Sequence, residues 1–382
     1  MNLALLDLNQ RLQLLPDPRR TTSGHYLHNL GSIVASTFCA ISNGRTGYRA
    51  IADFIEDNID ALRLYVDFPN GPPSHDTIRR CMNNVDPKSL ARIFRAWAGV
   101  DSIDPTYLQA DGKTIRGSKS DDGKATHVLT LFASDFVASL MEVEVAEKAN
   151  EITAFKTVVD NPEVDFEGKV ITADALLCQT YFCRAITKAK GDFVFVLKGN
   201  HPSMFNDVQS FMTNLKEYDS RQIVKKGHGR LVVKDVRFTT DVEWLTKIYD
   251  FPGLKSLGQI TTTVTEKGKT TTSVMYLISS LSSLDELFAA REKHWGIESM
   301  HWILDTSFDE DQCRARTDKA PLNLNIMRKT AIFLFNLASK SNLPEFKGKG
   351  VKRIRDKCSN AFRNLLKVFA LIGSIASIFG GK

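Results

Sequence analysis

The order of extended and helical segments between residues 105 and 200 most constrains how this chain can fold. Three segments with strand-like apolar spacing are followed by a helical segment, and a strand, a helix and a further strand complete the series: TYLQADGKTI, HVLTLFASDF, ASLMEVEVAE, NEITAFKTVVDN, GKVITADAL, CQTYFCRAITKAKG and DFVFVLKGN. Strands that alternate with helices favour a largely parallel arrangement. We therefore predict an α/β domain built on a mixed five-stranded sheet.

Two aspartates end two of these strands. Three strands, a helix and then alternating strand and helix is the order of an RNase H-like sheet, in which the first and fourth strands lie side by side. Asp111 ends the first predicted strand and Asp174 ends the fourth. A single Asp at a strand end is most often a turn former. Two of them on paired strands favour a shared site.

A third carboxylate comes from a segment that reads REKHWGIESMHWILD, residues 291–305. At about 100° per residue, a helix here carries one ionisable and aromatic side and one apolar side. The polar side holds Arg291, His294, Trp295, Glu298, His301, Trp302 and Asp305, and the apolar side holds Ile297, Met300, Ile303 and Leu304. A solvated surface face is the alternative interpretation. Two tryptophans on the polar side count against it.

Three carboxylates from distant segments suit a divalent metal site. Mg²⁺ prefers carboxylate oxygens and keeps positions free for phosphate oxygens. Two ions about 4 Å apart can drive phosphodiester cleavage. We therefore predict that Asp111, Asp174 and Glu298 are catalytic metal ligands for two Mg²⁺ ions, with Mn²⁺ as an alternative.

Basic and polar groups near these positions suit a nucleic-acid backbone. The formal net charge of +6 favours a polyanionic partner. Each of these groups taken alone also fits a solvated surface charge, and one of the tryptophans fits a core position. The predicted DNA contacts are Lys113, Arg116, Lys198, Asn200, His228, Arg230, Arg291, His294 and Trp295.

The remaining segments divide the chain further. Residues 1–100 have helical apolar spacing, which fits either a helix-turn-helix-like DNA reader or a helical packing domain. Residues 101–198 and 283–340 form the predicted catalytic domain, residues 199–282 a β-rich insertion, and residues 341–382 a basic and apolar tail. The apolar part of this tail, Val368 to Phe379, has twelve residues, fewer than the about 20 that a membrane helix needs, which favours a docking helix over a membrane contact. The six cysteines lack metal-ligand spacing and fit reduced thiols.

Several motifs together resemble those of insertion-sequence DDE transposases of the H-repeat-associated group. They are PPSHDTIRR, ADGKTIRGS, ITADALLCQ, FVLKGN, KGHGR and REKHWGIESMHWILDTSFDEDQCRAR. The last is long and specific, whereas the first is generic. The chain departs from the wider superfamily at Arg291, His294 and Asp305, where Tyr, Arg and Lys are common, and from the usual continuation of HGR at Val232 and Lys234.

This resemblance implies a function and a setting. It implies an RNase H-like catalytic domain with a β-rich insertion, and metal-binding Asp111, Asp174 and Glu298. It also implies transposition of DNA by cleavage at terminal inverted repeats and joining to target DNA, by a homodimer in the cytoplasm of a bacterium, associated with the nucleoid. Two alternatives remain: an inactive DNA-binding regulator of its own element, and an RNase H-like nuclease that cuts without joining.

Overall fold

The computed structural model describes residues 2–19, 27–145, 151–227 and 229–379, so the predicted DNA contact His228 lies outside the described residues. The chain divides into two compact units. Unit 1 comprises Met1–Asp104, Gly112–Ala146 and Ile297–Lys382, and unit 2 comprises Pro105–Asp111 and Glu147–Gly296. These units group residues by compactness alone, and the four-part domain division stays a prediction.

The helices of the described residues occur in the predicted helical segments and also, at Pro202–Asn214 and Glu243–Ile248, inside the predicted β-rich insertion. They are α1 (Leu3–Leu12), α2 (Leu30–Ser42), α3 (Tyr48–Asp57), α4 (Ile59–Leu62), α5 (His75–Asn84), α6 (Pro87–Ala98), α7 (Glu151–Val159), α8 (Thr180–Lys188), α9 (Pro202–Asn214), α10 (Glu243–Ile248), α11 (Leu284–Ser307), α12 (Ala320–Lys340), α13 (Val351–Asn360), α14 (Phe362–Ala370) and α15 (Ile375–Phe379). None of these helices is long and apolar enough to cross a membrane.

The strands of the described residues form one mixed sheet. They are β1 (Tyr107–Thr114), β2 (His127–Ala133), β3 (Ala138–Val145), β4 (Val170–Ala173), β5 (Asp192–Leu197), β6 (Asp219–Gly227), β7 (Arg230–Thr239), β8 (Ser256–Glu266) and β9 (Lys269–Ser279). Across this described part of the chain the order is β3-β2-β1-β4-β5-β9-β8-β7-β6. The predicted adjacency of the first and fourth strands is confirmed.

The predicted count of five strands is wrong, because the described strands of the sheet number nine. The β-rich insertion continues the sheet instead of forming a separate one. Strand β9 pairs antiparallel with β5, from Val194 opposite Ser279 to Leu197 opposite Tyr276. Strand β5 therefore has neighbours on both edges, which satisfies its backbone hydrogen-bonding groups.

The core of unit 1 is largely helical. Local signals set the helix ends: the Asp86 side chain accepts a hydrogen bond from the backbone of Ser89 at the start of α6, and Gly99 (φ 72°) ends that helix in the left-handed region. The predicted docking of the apolar tail is confirmed for α14. Its Phe369 is fully buried and stacks on Phe38 of α2 at 5.5 Å between ring centroids.

The core of unit 2 lies against its strands. Apolar side chains of β5 and β9, such as Val194, Val196 and Leu277, pack with Leu287 and Ala290 of α11. Strands β6, β7, β8 and β9 pair antiparallel along their whole lengths as two long hairpins. Arg230 of β7 lies opposite Glu266 of β8. All six cysteines are buried and free.

Candidate active site

Asp111 and Asp174, the carboxylate pair, occupy equivalent positions on neighbouring strands. Strands β1 and β4 are parallel, and the last paired residues are Ala110 and Ala173. An aspartate follows each of these two residues in the sequence, Asp111 within β1 and Asp174 directly after β4. In parallel sheets, ligand-binding groups gather at the carboxyl ends of the strands. The register therefore places two carboxylates side by side, immediately after the paired part of β1 and β4.

Strand β1 does not end at Asp111 as predicted, but continues to Thr114. The β-branched residues Thr114 and Ile115 favour extended backbone. The backbone N–H of Ile115 donates to the carbonyl of Thr126 at 2.9 Å, so extended pairing continues beyond the aspartate. Asp111 thus lies within a strand, which restricts its backbone more than a turn would.

The charge on Asp174 is poorly compensated. Partial burial and the charge of Asp111 raise the pKa of Asp174 above its usual range, while Arg291 and Lys198 oppose the rise. Its side chain is 55% exposed, and its ion-pair contact within the described residues is the Nε2 atom of His294 at 3.8 Å. A divalent cation between two carboxylates would relieve this repulsion.

Two hydrogen bonds hold the loop after β5 against the turn after β4. The Asn200 side chain donates to the carbonyl of Ala175 at 2.7 Å, and the Nε2 atom of His201 lies 2.6 Å from the carbonyl of Cys178. Lys198 is exposed at the start of this loop, and its charge acts on Asp174. The predicted contact residues Lys198 and Asn200 therefore belong to the surroundings of Asp174, with the Asn200 amide used to fix the loop.

His294 lies behind Asp174, inside the protein. Its side chain is 1% exposed, and its Nδ1 atom lies 2.8 Å from the hydroxyl of Thr172 in β4. The other ring nitrogen, Nε2, lies 3.8 Å from the Asp174 carboxylate. The predicted exposed position of His294, as a DNA contact on the polar side of the helix, is therefore wrong, because its ring is buried next to Asp174.

The apolar side of α11 is confirmed, with Ile303 partly buried, whereas the predicted polar side includes the buried His294. Ile297, Met300 and Leu304 are buried in the core of unit 1. The side chains of Trp295 and Trp302 are 56% and 64% exposed. Neither tryptophan is a core residue, so the alternative that one of them packs inside is wrong.

Glu298, the third predicted ligand, is half-buried one helical turn after His294. Within the described residues, no group of three or more His, Cys, Asp or Glu side chains lies close enough to hold a metal ion. The third predicted ligand, Glu298, stays a prediction, whereas Asp111 and Asp174 follow paired residues of neighbouring strands. Their oxygen donors and mutual repulsion fit a hard divalent cation such as Mg²⁺.

Lys113 and Arg116 lie in unit 1 and have different surroundings. The Nζ atom of Lys113 is 2.7 Å from Asp305, and its side chain is only 11% exposed. The Arg116 side chain is 82% exposed, while its backbone N–H donates to Asp311 at 3.1 Å. Arg116 is accessible to a partner, whereas Lys113 is engaged within the protein.

Arg291 and Arg230 complete the predicted contacts that the structure describes. Arg291 is half-buried on α11, and its charge lowers the pKa of Asp174 against the stronger raising effects. Arg230 is exposed at the start of β7. The structure therefore places Arg291 with the carboxylate pair and Arg230 on the hairpin.

Glu292 is a further structural residue that no motif in the sequence indicates, because one glutamate in a charged helix carries no signal for its partners. Glu292 accepts hydrogen bonds from Lys225 of β6, at 2.6 Å, and from Lys234 of β7. Burial opposes the effect of these two bonds, which nevertheless hold the pKa of Glu292 below its usual range. This carboxylate fastens the β6–β7 hairpin to α11.

Comparison with known proteins defines the class. Residues 102–334 match the family described as "Transposase DDE domain", and residues 9–98 match the family described as "DDE_Tnp_1-associated". The first match spans more than half of the chain and contains the carboxylate pair and Glu298.

Individual relatives agree with this class. The "H repeat-associated putative transposase YhhI" of Escherichia coli K12 is 32% identical, over 88% of this chain and 94% of its own length. The "Putative transposase YncI" of E. coli O157:H7 is 31% identical, over 93% and 92%. The "Inactive transposase YbfQ" of E. coli K12 is 38% identical, over 21% of this chain and 92% of its own.

The chain therefore belongs to the DDE transposase family, and its relatives place it in the H repeat-associated group. The resemblance inferred from the motifs is confirmed. A transposase role follows from this membership.

Proposed function

We propose that this protein cuts DNA at the ends of an insertion sequence and joins those ends to target DNA, with Asp111, Asp174 and Glu298 as metal ligands in an RNase H-like domain. The observation that carries the proposal is the parallel register of β1 and β4, which sets two carboxylates side by side. The raised pKa of Asp174 supports a site that is short of positive charge.

The carboxylate pair would hold Mg²⁺ or Mn²⁺ ions, with Glu298 supplying the third carboxylate. When bound, two such ions about 4 Å apart activate the attacking oxygen and stabilise the leaving oxygen of a phosphodiester. Glu298 lies one turn beyond His294 on α11, and His294 faces Asp174. The continuity of that helix supports Glu298 as the third ligand.

His294 would orient Asp174 in this site. A ring that is held by the Thr172 hydroxyl presents its other nitrogen to the carboxylate in one orientation. Groups that fix the partners of a metal commonly change metal affinity 10- to 100-fold, roughly, when they are removed. This role requires a buried histidine, as the structure has it.

Exposed groups around the pair would bind DNA. Lys198 and Arg291 add positive charge beside Asp174, where a phosphate would lie. Trp295 exposes its ring one residue after His294, and an unpaired base stacks well on such a ring. Arg116 and Arg230, which are exposed, would contact phosphates of the DNA backbone further from the carboxylate pair. Terminal inverted repeats and target DNA are the proposed partners, bound by a homodimer because an element has two ends.

A nicking and joining assay tests this function. Purified protein is incubated with supercoiled DNA that carries the element's ends, with and without Mg²⁺, and with pre-cut ends plus target DNA. We expect Mg²⁺-dependent cuts at the ends and joined products. Asp250→Asn is the control for the aspartate-to-asparagine variants of the carboxylate pair and should cut like the wild type. Asp250 is 74% exposed and pairs with Arg184 on the surface.

Two results would replace the proposal with another function. DNA binding at the ends without any cleavage would indicate an inactive regulator. Cleavage with no joining of pre-cut ends would indicate a nuclease.

A further inference from the structure

A lysine in unit 1 is nearly buried among three carboxylates. The Nζ atom of Lys113 lies 2.7 Å from Asp305, 3.8 Å from Glu310 and 3.9 Å from Asp311. Only 11% of its side chain is exposed. An ion pair in such surroundings is screened less by salt than a surface pair, and loss of one partner leaves the other uncompensated. We call these four residues the Lys113 cluster.

The carboxylates of the Lys113 cluster are themselves fixed. Glu310 is fully buried and accepts hydrogen bonds from Asn325 at 2.9 Å and Arg328 at 3.3 Å. Asp311 accepts from the backbone of Arg116 at 3.1 Å. Lys113 therefore has little freedom to leave Asp305 for another partner.

Lys113 and Asp305, the closest ion pair of the Lys113 cluster, belong to elements that carry predicted metal ligands. Lys113 comes two residues after Asp111 in β1, and alternate residues of a strand share a face. Asp305 comes seven residues after Glu298 in α11, which is about two helical turns and returns to the same side. One ion pair thus joins the strand of Asp111 to the helix side of Glu298.

We propose that Lys113 is a positioning residue, whose ion pair with Asp305 fixes the rotation and height of α11 and so holds Glu298 in place as a metal ligand. This inference rests on the proposed function. The alternative use of Lys113, a direct contact with DNA phosphate, would need the ion pair with Asp305 to open. The two uses predict different behaviour for Asp305.

The experiment measures Mn²⁺ binding by electron paramagnetic resonance on the full chain without DNA, DNA binding in Ca²⁺, and cleavage as a function of Mg²⁺ concentration. The variants are Lys113→Met, Asp305→Asn, the double variant and Lys113→Arg. The control is Lys367→Met, which breaks an exposed pair with Glu345 of 2.6 Å elsewhere in unit 1.

We expect each single substitution to weaken Mn²⁺ binding about tenfold or more. Because both remove the same interaction, the double variant should be no worse than the singles, instead of showing the product of two losses. Lys113→Arg should recover most of the affinity, DNA binding should be unchanged, and Lys367→Met should match the wild type. If Lys113→Met fails to fold, the partly exposed Asp305→Asn carries the test.

Unchanged Mn²⁺ affinity in both single variants would overturn the positioning role, even if the wild type cleaves DNA normally. Loss of DNA affinity in Lys113→Met together with a gain in Asp305→Asn would also overturn it, in favour of a phosphate contact. If the variants lose Mn²⁺ but the wild type cuts no DNA, the positioning role stands and the proposed function fails. A wild type that binds no Mn²⁺ overturns both.

Discussion

Asp174 and Glu292 are two carboxylates of unit 2 with opposite surroundings. Glu292 receives hydrogen bonds from Lys225 and Lys234, and its pKa is lowered although burial opposes this. Asp174 lies beside another carboxylate, and its pKa is raised. The first arrangement stabilises the fold, whereas the second opposes folding at neutral pH. A bound cation would offset the repulsion at Asp174, which is consistent with the proposed metal site.

The largest expected effect is on catalysis. Asp111→Asn and Asp174→Asn should each abolish Mg²⁺-dependent DNA cleavage while leaving DNA binding largely intact, because a neutral amide is a poor ligand for a hard cation. Glu292→Gln should still cleave, because Glu292 is hydrogen-bonded to two lysines and is not one of the three proposed metal ligands. Cleavage and binding assays on the three variants measure this. Near wild-type cleavage by either aspartate variant would show that this aspartate is not a metal ligand needed for catalysis.

The second prediction concerns metal and stability. Mg²⁺ at about 100 times its dissociation constant should stabilise the wild type by about 2.7 kcal/mol, because the ion binds only the folded carboxylate site. The melting temperature should then rise by a few degrees, which differential scanning calorimetry detects. Asp174→Asn should lose this rise and Glu292→Gln should keep it. An equal rise in all three proteins would show that Mg²⁺ acts elsewhere.

The third prediction concerns the lysine-bound carboxylate. Glu292→Gln should lower the stability of unit 2 by about 1–3 kcal/mol, because Lys225 and Lys234 lose a charged acceptor. Chemical denaturation measures the change, and Asp285→Asn, which removes an exposed partner of Arg221 at 2.7 Å, provides a control with a smaller effect. Equal stability of Glu292→Gln and wild type would mean that the hairpin is held by other contacts.

Much of this arrangement follows from the sequence, and the reasons are local. The order of strands and helices predicts that β1 and β4 are neighbours, and the apolar spacing of α11 predicts that Ile297, Met300 and Leu304 are buried. Helical spacing predicts which residues share a side of a helix, but not whether another element packs over that side. For that reason His294 was assigned to the exposed side, although it is buried against Thr172.

Contacts between distant segments could not be predicted. The ion pair between Lys113 and Asp305 joins residues 192 positions apart, and neither local sequence contains a feature that predicts the other as its partner. The continuation of the sheet through β9 was missed for the same reason, because an edge strand and an interior strand have similar apolar patterns. Family resemblance indicates which residues matter, but not how each is held.

The smallest expected effect is on pH dependence. The pKa of Asp174 is raised in the folded protein, so its ionisation opposes folding above that pKa, and this penalty disappears as pH falls through the folded value towards the unfolded one of about 3.9. Without metal, Asp174→Asn should therefore be slightly more stable than wild type at pH 7, by less than about 1 kcal/mol for so exposed a group. The difference should shrink towards pH 4, which melting experiments across this range measure. A difference that grows on acidification would contradict the raised pKa.

The most direct test of the central claim, one carboxylate site for both cutting and joining, is the activity of Glu298→Gln. Both DNA end cleavage and joining of pre-cut ends are measured with Mg²⁺, alongside the melting temperature. We expect both reactions to be lost and the melting temperature to stay near that of the wild type, because one pair of ions would serve both steps and a half-buried ligand contributes little to the core. Full activity of Glu298→Gln in either reaction would contradict the claim.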